Sequence, residues 1–221
     1  QCYKARPTNP FPPLAAVSLR DRFGAQAVDV STAREICMPA DKNGEDPTAP
    51  ADPAHQVSYN IRGRVGVLLV PRRNVRMENQ FGVSYVDVFY PRRLMVPSAM
   101  SLAAPPGPLL PPIPDHFTCY HVRPSLGSPL PLPHTARVST QLEHDATFRL
   151  RRPSRLCLPT DARGEAPGAE GHPDGYLCYL TKVPRGPRAV AHIDNQLELG
   201  AYRLNGVHRE LCVPSRIISD R

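Results

Sequence analysis

The sequence predicts an all-β protein of two small tandem domains, residues 1–110 and 111–221, each made of two repeats of about 59 residues. Proline-rich loops join the strands, and disulfides staple the repeats. Three observations carry this expectation. First, a Cys-Tyr pair followed by a Cys-x-Pro occurs three times: Cys2-Tyr3 with Cys37-Met38-Pro39, Cys119-Tyr120 with Cys157-Leu158-Pro159, and Cys178-Tyr179 with Cys212-Val213-Pro214. A fourth copy runs without cysteine, from Ser58-Tyr59 to Met95-Val96-Pro97. Second, 28 of the 221 residues are proline, and a residue that lacks a backbone donor and fixes φ rules out long helices. Third, the clearest apolar runs alternate with a period of two, as half-buried strands do.

Taken in order, the first repeat (residues 1–54) opens on Cys2-Tyr3-Lys4 and a proline-rich turn over residues 7–13. Strands follow over 16–20 and 25–30, where Val17 with Leu19 and Val28 with Val30 each share a face. Asp21-Arg22-Phe23-Gly24 between them reads as a turn. A polar connection begins at Asp41-Lys42-Asn43-Gly44-Glu45. Asp41, Asn43 and Glu45 alternate there as in a calcium loop, but the full ligand spacing is absent and a surface turn is the better reading. The second repeat (55–110) offers strands over 64–70 and 83–90, with Glu78-Asn79-Gln80-Phe81-Gly82 as the counterpart of residues 20–24. Residues 99–114 are apolar and proline-rich, unlike the polar connections elsewhere, which places the domain boundary near 110. Leu102, Leu109, Leu110 and Ile113 in that stretch are candidates for self-association; the plainer reading is a semi-rigid polyproline spacer. The third repeat (111–170) and the fourth (171–221) both carry Gln-Leu-Glu at their middle, at 141–143 and 196–198. The tyrosine after each first cysteine position is expected to pack over the bridge or a neighbouring strand, its hydroxyl reaching polar surface.

Six cysteines allow fifteen connectivities. The second repeat selects among them, because both of its positions are replaced together, by Ser58 and Met95. That is the outcome expected if the two positions bond to each other. The pairs are therefore Cys2–Cys37, Cys119–Cys157 and Cys178–Cys212, each closing a loop worth roughly 3–4 kcal/mol in the chain-entropy model. No CxxC occurs, so zinc-ribbon, thioredoxin and c-type haem readings lack their motif. Disulfides point to an oxidising compartment. The start at Gln1 rather than Met is read in the same sense, as the mark of a removed secretory segment.

No apolar run approaches the ~20 residues a membrane-spanning helix needs. There is no nucleophile elbow, Walker A loop, dinucleotide fingerprint or HExxH, and nothing selects a nucleophile for His144-Asp145 or His192 with Asp194. The expectation is a non-enzyme with no cofactor. Net charge is +7, and all the basic residues except Lys4, Lys42 and Lys182 are arginine. Arg72-Arg73, Arg92-Arg93 and Arg151-Arg152 are candidates for binding polyanions; the plainer reading is a solvated surface. Aromatics are 6% of the chain and Trp is absent, and interleaved aromatics would be needed to strengthen a nucleic-acid case.

With Cys2-Tyr3-Lys4, Gln80-Phe81-Gly82, Leu211-Cys212-Val213-Pro214 and Asp41-Lys42-Asn43-Gly44-Glu45, the chain resembles an uncharacterised bacterial repeat of secreted and cell-surface proteins. The second repeat departs from that pattern at Ser58 and Met95. The resemblance implies export and no established activity. Two functions follow as expectations. One is an extracellular structural subunit that contacts copies of itself in a homopolymeric filament or surface assembly. The other is a secreted module that binds anionic polymers, polysaccharide or nucleic acid, through arginine-rich faces.

Overall fold

The computed structural model describes residues 1–64, 71–129 and 135–219, and it is nearly all strand. Each sequence unit supplies a leading strand with the Cys-Tyr position, a second strand, and a long return strand. The first unit has β1 (Cys2–Pro7), β2 (Leu14–Asp21) and β3 (Gly24–Cys37), followed by the two-residue β4 (Asp41–Lys42). The second has β5 (Ala54–Gly63), β6 (Arg72–Asn79) and β7 (Gly82–Ser101). The third has β8 (His116–Pro124), β9 (Thr135–Ser139) and β10 (Ala146–Ala162), and the fourth β11 (Asp174–Lys182), β12 (Ala189–Asn195) and β13 (Glu198–Ser219).

The strands expected over 16–20, 25–30 and 83–90 lie within β2, β3 and β7. The strand expected over 64–70 falls almost wholly on residues outside the described ones, as does His134. The return strands expected over 25–30 and 83–90 are far longer, 14 residues in β3 and 20 in β7, and β13 of 22 residues lies where no strand is read from the sequence. Proline inside a run normally demotes a strand, yet the return strands absorb Pro91 and Pro153. Each sits where the pairing register shifts, between Val88 and Pro91 against β8 and between Leu150 and Pro153 against β11. Pro91 and Pro153 themselves stand opposite Tyr120 and Tyr179, and the register shifts on either side loosen the ladder where a residue without an N–H has to fit.

Antiparallel pairing runs from β1 to β3, β5, β7, β8, β10, β11, β13 and back to β1. These eight strands form a closed circuit, and closure removes the edges that an open sheet would present. The expected boundary near residue 110 lies between β7 and β8, which are hydrogen-bonded neighbours. β13 closes on β1 in the same way, so one continuous sheet joins residues 1–110 to 111–221.

The face of the circuit that carries the cysteines is its inside. Arg155 on β10 meets Glu35 on β3 at 2.8 Å, although β5, β7 and β8 separate those strands in the pairing order. Only side chains that converge across the interior can do this. The three disulfides, Cys2–Cys37, Cys119–Cys157 and Cys178–Cys212, are cross-strand bridges within each unit. Together with Met95 and Phe117 they form a buried sulfur-rich cluster. Ser58 and Met95 stand directly opposite each other at the fourth position.

The other face carries the tyrosines and aliphatics, and the second strands cover it by reaching across the molecule. β2 pairs with β10, β6 with β13, β12 with β7, and β9 with β4. Each arm therefore lands on the unit two places along. The two cores beneath are correspondingly mixed. One joins Val28, Val30 and Tyr59 to Ile193 and Tyr202, and the other joins Val75, Met77 and Val86 to Phe148 and Leu177.

The four tyrosines lock these arms, a role different from the surface-reaching one expected of them. All are buried, and each hydroxyl meets the turn of the diagonal unit. Tyr120 donates to Asp21 Oδ2 at 2.7 Å, and Asn79 Nδ2 donates to Tyr179 at 3.0 Å. Tyr3 lies 2.9 Å from Thr140 Oγ1 and donates to Glu143 at 2.8 Å, while Tyr59 donates to Glu198 at 2.5 Å and accepts from Asn195 at 3.1 Å. Asp21, Asn79, Thr140 and Asn195 also accept the N–H two residues on, from Phe23, Phe81, Leu142 and Leu197. That bond shapes the turn. Phe23 and Phe81 then pack edge-on against Tyr120 and Tyr179. Gly24 and Gly82, at φ +127° and +98°, finish two of these turns in the region that disfavours a side chain. Burial pushes all four phenols up, and it raises the Asp21 carboxyl to about 6.

Candidate functional site

The bulge between Val88 and Pro91 turns two consecutive aromatics, Phe89 and Tyr90, toward one patch of surface. Regular alternation would send them to opposite faces. The rings of Phe89 and Tyr90 lie 5.8 Å and 6.1 Å from that of His121 on β8. Arginines fill the spaces between. The Arg73 and Arg123 guanidinium groups stand 5.2 Å and 5.5 Å from the Phe89 ring, and Arg92 stands 5.1 Å from Tyr90. These separations suit cation–π attraction. Asp87 holds Arg73 by a 2.7 Å ion pair and accepts from Ser125 and the Asn74 N–H, which fixes the Arg73 side of the patch.

Arg92, Arg123 and Arg152 have no acidic partner among the described residues. Burial, then the charges of Arg92 and Arg123, push the His121 imidazole below its ordinary value; Arg152 adds to the effect. Burial and the surrounding arginines thus both disfavour the imidazolium form of His121. Tyr90 remains 51% exposed, with a face open for stacking. Such a surface can hold a chain of anionic groups by charge while flat groups rest on the rings.

Of the six arginines read from the sequence, the structure brings Arg73, Arg92 and Arg152 to this patch. Arg72 points to the other side of β6 and covers the Phe23 ring at 4.6 Å. Arg93 turns inward and faces Glu35 at 4.0 Å. Arg151 is exposed without a partner among the described residues. Arg123 was missed because it stands alone in sequence. Its place opposite Asp87 in the β7–β8 register is what puts it here. Comparison with protein-family models, with curated proteins and with solved structures finds no match to this chain.

The remaining candidates lie elsewhere. Asp41 Oδ1 accepts the Asp46 N–H, Asn43 Oδ1 accepts the Arg137 N–H, and Glu45 pairs with Lys42. One oxygen of each is engaged by a protein donor, and the turn is repeated at Asp161, which accepts the Ala166 N–H. The one Cys/Glu group close enough to suggest a metal among the described residues is Cys178, Cys212 and Glu210, and its two sulfurs are joined to each other. Leu109 and Ile113 line a cavity of about 250 Å³ with Pro97, His116 and Asp194, and Leu102, Leu110 and Ile113 are all exposed to solvent. Burial lowers His55, and lowers His116 to about 4. No hydrogen bond joins His144 or His192 to a serine among the described residues. Three disulfides are consistent with an extracellular location, and no helix of the described residues is long and apolar enough to cross a membrane.

Proposed function

We propose that this chain is an exported binding module that holds anionic polymers on the face formed by Phe89, Tyr90, Arg92, His121, Arg123 and Arg152. The observation that carries the reading is the interleaving of arginine with aromatic rings around His121. Scattered basic residues on a solvated surface have no reason to stack in this way, and aromatics were the element missing from the polyanion reading of the sequence. The disulfide-braced circuit supports the face, because a rigid platform lowers the ordering cost of binding. The resemblance to repeats of secreted and cell-surface proteins points the same way.

The test is a titration with heparin and with single-stranded oligonucleotide, followed by NMR at His121. Bound polyanion offsets the arginine field and favours imidazolium, so the His121 pKa rises on binding. Arg92→Gln with Arg123→Gln weakens binding and reduces the slope of log affinity against log salt by about 2, roughly one for each lost contact. In the free double variant the His121 pKa also rises, since two nearby positive charges are gone. Binding that ignores both substitutions and leaves His121 unmoved would sink the proposal.

A second reading is that of a structural subunit, and it rests on apolar side chains left in water: Leu110 is 81% exposed and Ile113 54%. On this reading the residue 102–113 segment meets another copy of the chain. Light scattering then gives a mass that rises with concentration, and Leu110→Asp with Ile113→Asp returns it to that of one chain. A single-chain mass at every concentration discards it.

A further inference from the structure

The interior of the circuit opens where β1 leaves β3. The two strands pair only through Cys2, Tyr3 and Lys4. From Ala5 onward β1 follows β13, while β3 follows β5. The split leaves a cavity of about 340 Å³ whose wall carries Lys4, Arg6, Arg34, Arg93 and Arg209, with Asn60 as a neutral amide. Among the described residues, the single carboxylate in the wall is Glu35.

Charge in this cavity is far out of balance. Glu35 is already committed: its Oε2 accepts from Arg155 at 2.8 Å, and its Oε1 faces Arg93 at 4.0 Å. Lys4, Arg6, Arg34 and Arg209 have no acidic partner among the described residues. Bringing several cations around one concavity is unfavourable unless counter-charge arrives from outside. The bias is local to this unit. The residues that follow the other three tyrosines, in the position of Lys4, are Asn60, His121 and Leu180, so the fourfold plan gains an extra cation only here. Four of the five cations are arginine, whose planar fork suits the oxygens of a phosphate or sulfate group.

We propose that this cavity is a binding site for a phosphate or sulfate group, either free or carried as a monoester. Arg34, Arg209 and Lys4 grip the oxyanion from three strands, Asn60 donates a neutral hydrogen bond, and Glu35 holds Arg93 in place from below. The site is independent of the aromatic face, which uses Arg92 and Arg123 on outward positions.

The test is calorimetry at low salt with four probes: inorganic phosphate, inorganic sulfate, glucose 6-phosphate and glucose 6-sulfate. Binding of any probe is expected to weaken about tenfold or more in Arg34→Gln with Arg209→Gln, since each lost charged hydrogen bond is worth about 1.5–3 kcal/mol. Melting temperature without ligand serves as the control for folding, and both substitutions are at exposed positions. Arg92→Gln with Arg123→Gln leaves these affinities unchanged, which separates failure of this site from failure of the polymer-binding face. Equal affinity for the inorganic ions and their sugar esters assigns the site to free oxyanions, and tighter sugar esters assign it to a monoester. No binding of any probe at millimolar concentration, or binding indifferent to Arg34 and Arg209, overturns the proposal.

Discussion

Replacing Arg155 with methionine is expected to cost the fold about 3–5 kcal/mol, the range for breaking a buried ion pair by removing one partner. Among the described residues, Arg155 is the only cation that both interior carboxylates touch. Its Nη2 lies 2.8 Å from Glu35 and 2.7 Å from Glu210, and the three side chains are between 5% and 10% exposed. Glu210 also accepts from Ser154 at 2.6 Å. Burial opposes both charges. For Glu35 the pull of Arg155 and Arg93 prevails and its carboxyl sits below the ordinary range, whereas for Glu210 burial prevails and the carboxyl sits above it. Without Arg155 both carboxyls move up, and a carboxyl raised in the fold loses stability as pH rises from its unfolded value toward its folded one. The deficit of Arg155→Met is therefore largest at neutral pH and smaller near pH 4. Chemical denaturation at the two pH values measures it. Adding Glu35→Leu and Glu210→Leu to Arg155→Met should recover most of the loss, because replacing a whole buried ionic group by apolar residues is often neutral or better. A deficit under about 1 kcal/mol at pH 7 would mean that water reaches the cluster.

That cluster also marks the limit of what the sequence discloses. Glu35, Arg93, Arg155 and Glu210 each stand two residues before the second cysteine position or its substitute. Read along one strand, a charge at that spacing looks like a solvent face. It becomes interior only when eight strands close on themselves, and closure depends on pairings between residues some two hundred apart, such as Cys2 with Glu210. The all-β class and the cysteine pairs were legible because both follow from local composition and from a substitution that struck two positions together. The strand read over 83–90 stops short because Pro91 looks like a terminator until the bulge beside it is seen. The tyrosine locks were half visible. The Phe-Gly and Leu-Glu turns could be aligned by eye, but the polar residue two places before each Phe or Leu, at Asp21, Asn79, Thr140 and Asn195, has meaning only once a hydroxyl arrives from the diagonal unit. At the candidate face, the period of two within a strand over 83–90 sends Phe89 and Tyr90 to opposite sides, and the extra residue between Val88 and Pro91 reverses that.

A fourth disulfide placed at the vacant position is the second large effect. Ser58→Cys with Met95→Cys should close spontaneously under oxidising conditions and stabilise the fold by about 2–4 kcal/mol. Ser58 and Met95 are directly paired across β5 and β7, as Cys2 and Cys37 are across β1 and β3 and Cys178 and Cys212 across β11 and β13. The native bridges set the geometry, with Cα–Cα separations of 3.8–3.9 Å and loops of 34–38 residues, and positions 58 and 95 enclose a loop within that range. Two local terms bear on the sum. The Ser58 hydroxyl is buried without a hydrogen-bond partner among the described residues, so its replacement by sulfur removes a polar group that burial penalises. Met95 is 4% exposed in the sulfur-rich cluster, and trimming it forfeits packing worth about 1 kcal/mol or more. The loop term exceeds that loss, which is why the net effect is stabilising. Crowding of sulfur is the hazard, since Cys2 and Cys212 of neighbouring bridges already lie 3.9 Å apart and exchange could scramble the pairs. Peptide mapping without reductant should recover a 58–95 link beside the three native ones. Oxidised double variant should then unfold at higher denaturant than the parent, and each single variant should not. A double variant that maps correctly yet gains nothing would show that the second unit is already held shut in the unfolded ensemble by its β-branched strands, and that the bridge was dispensable there for that reason.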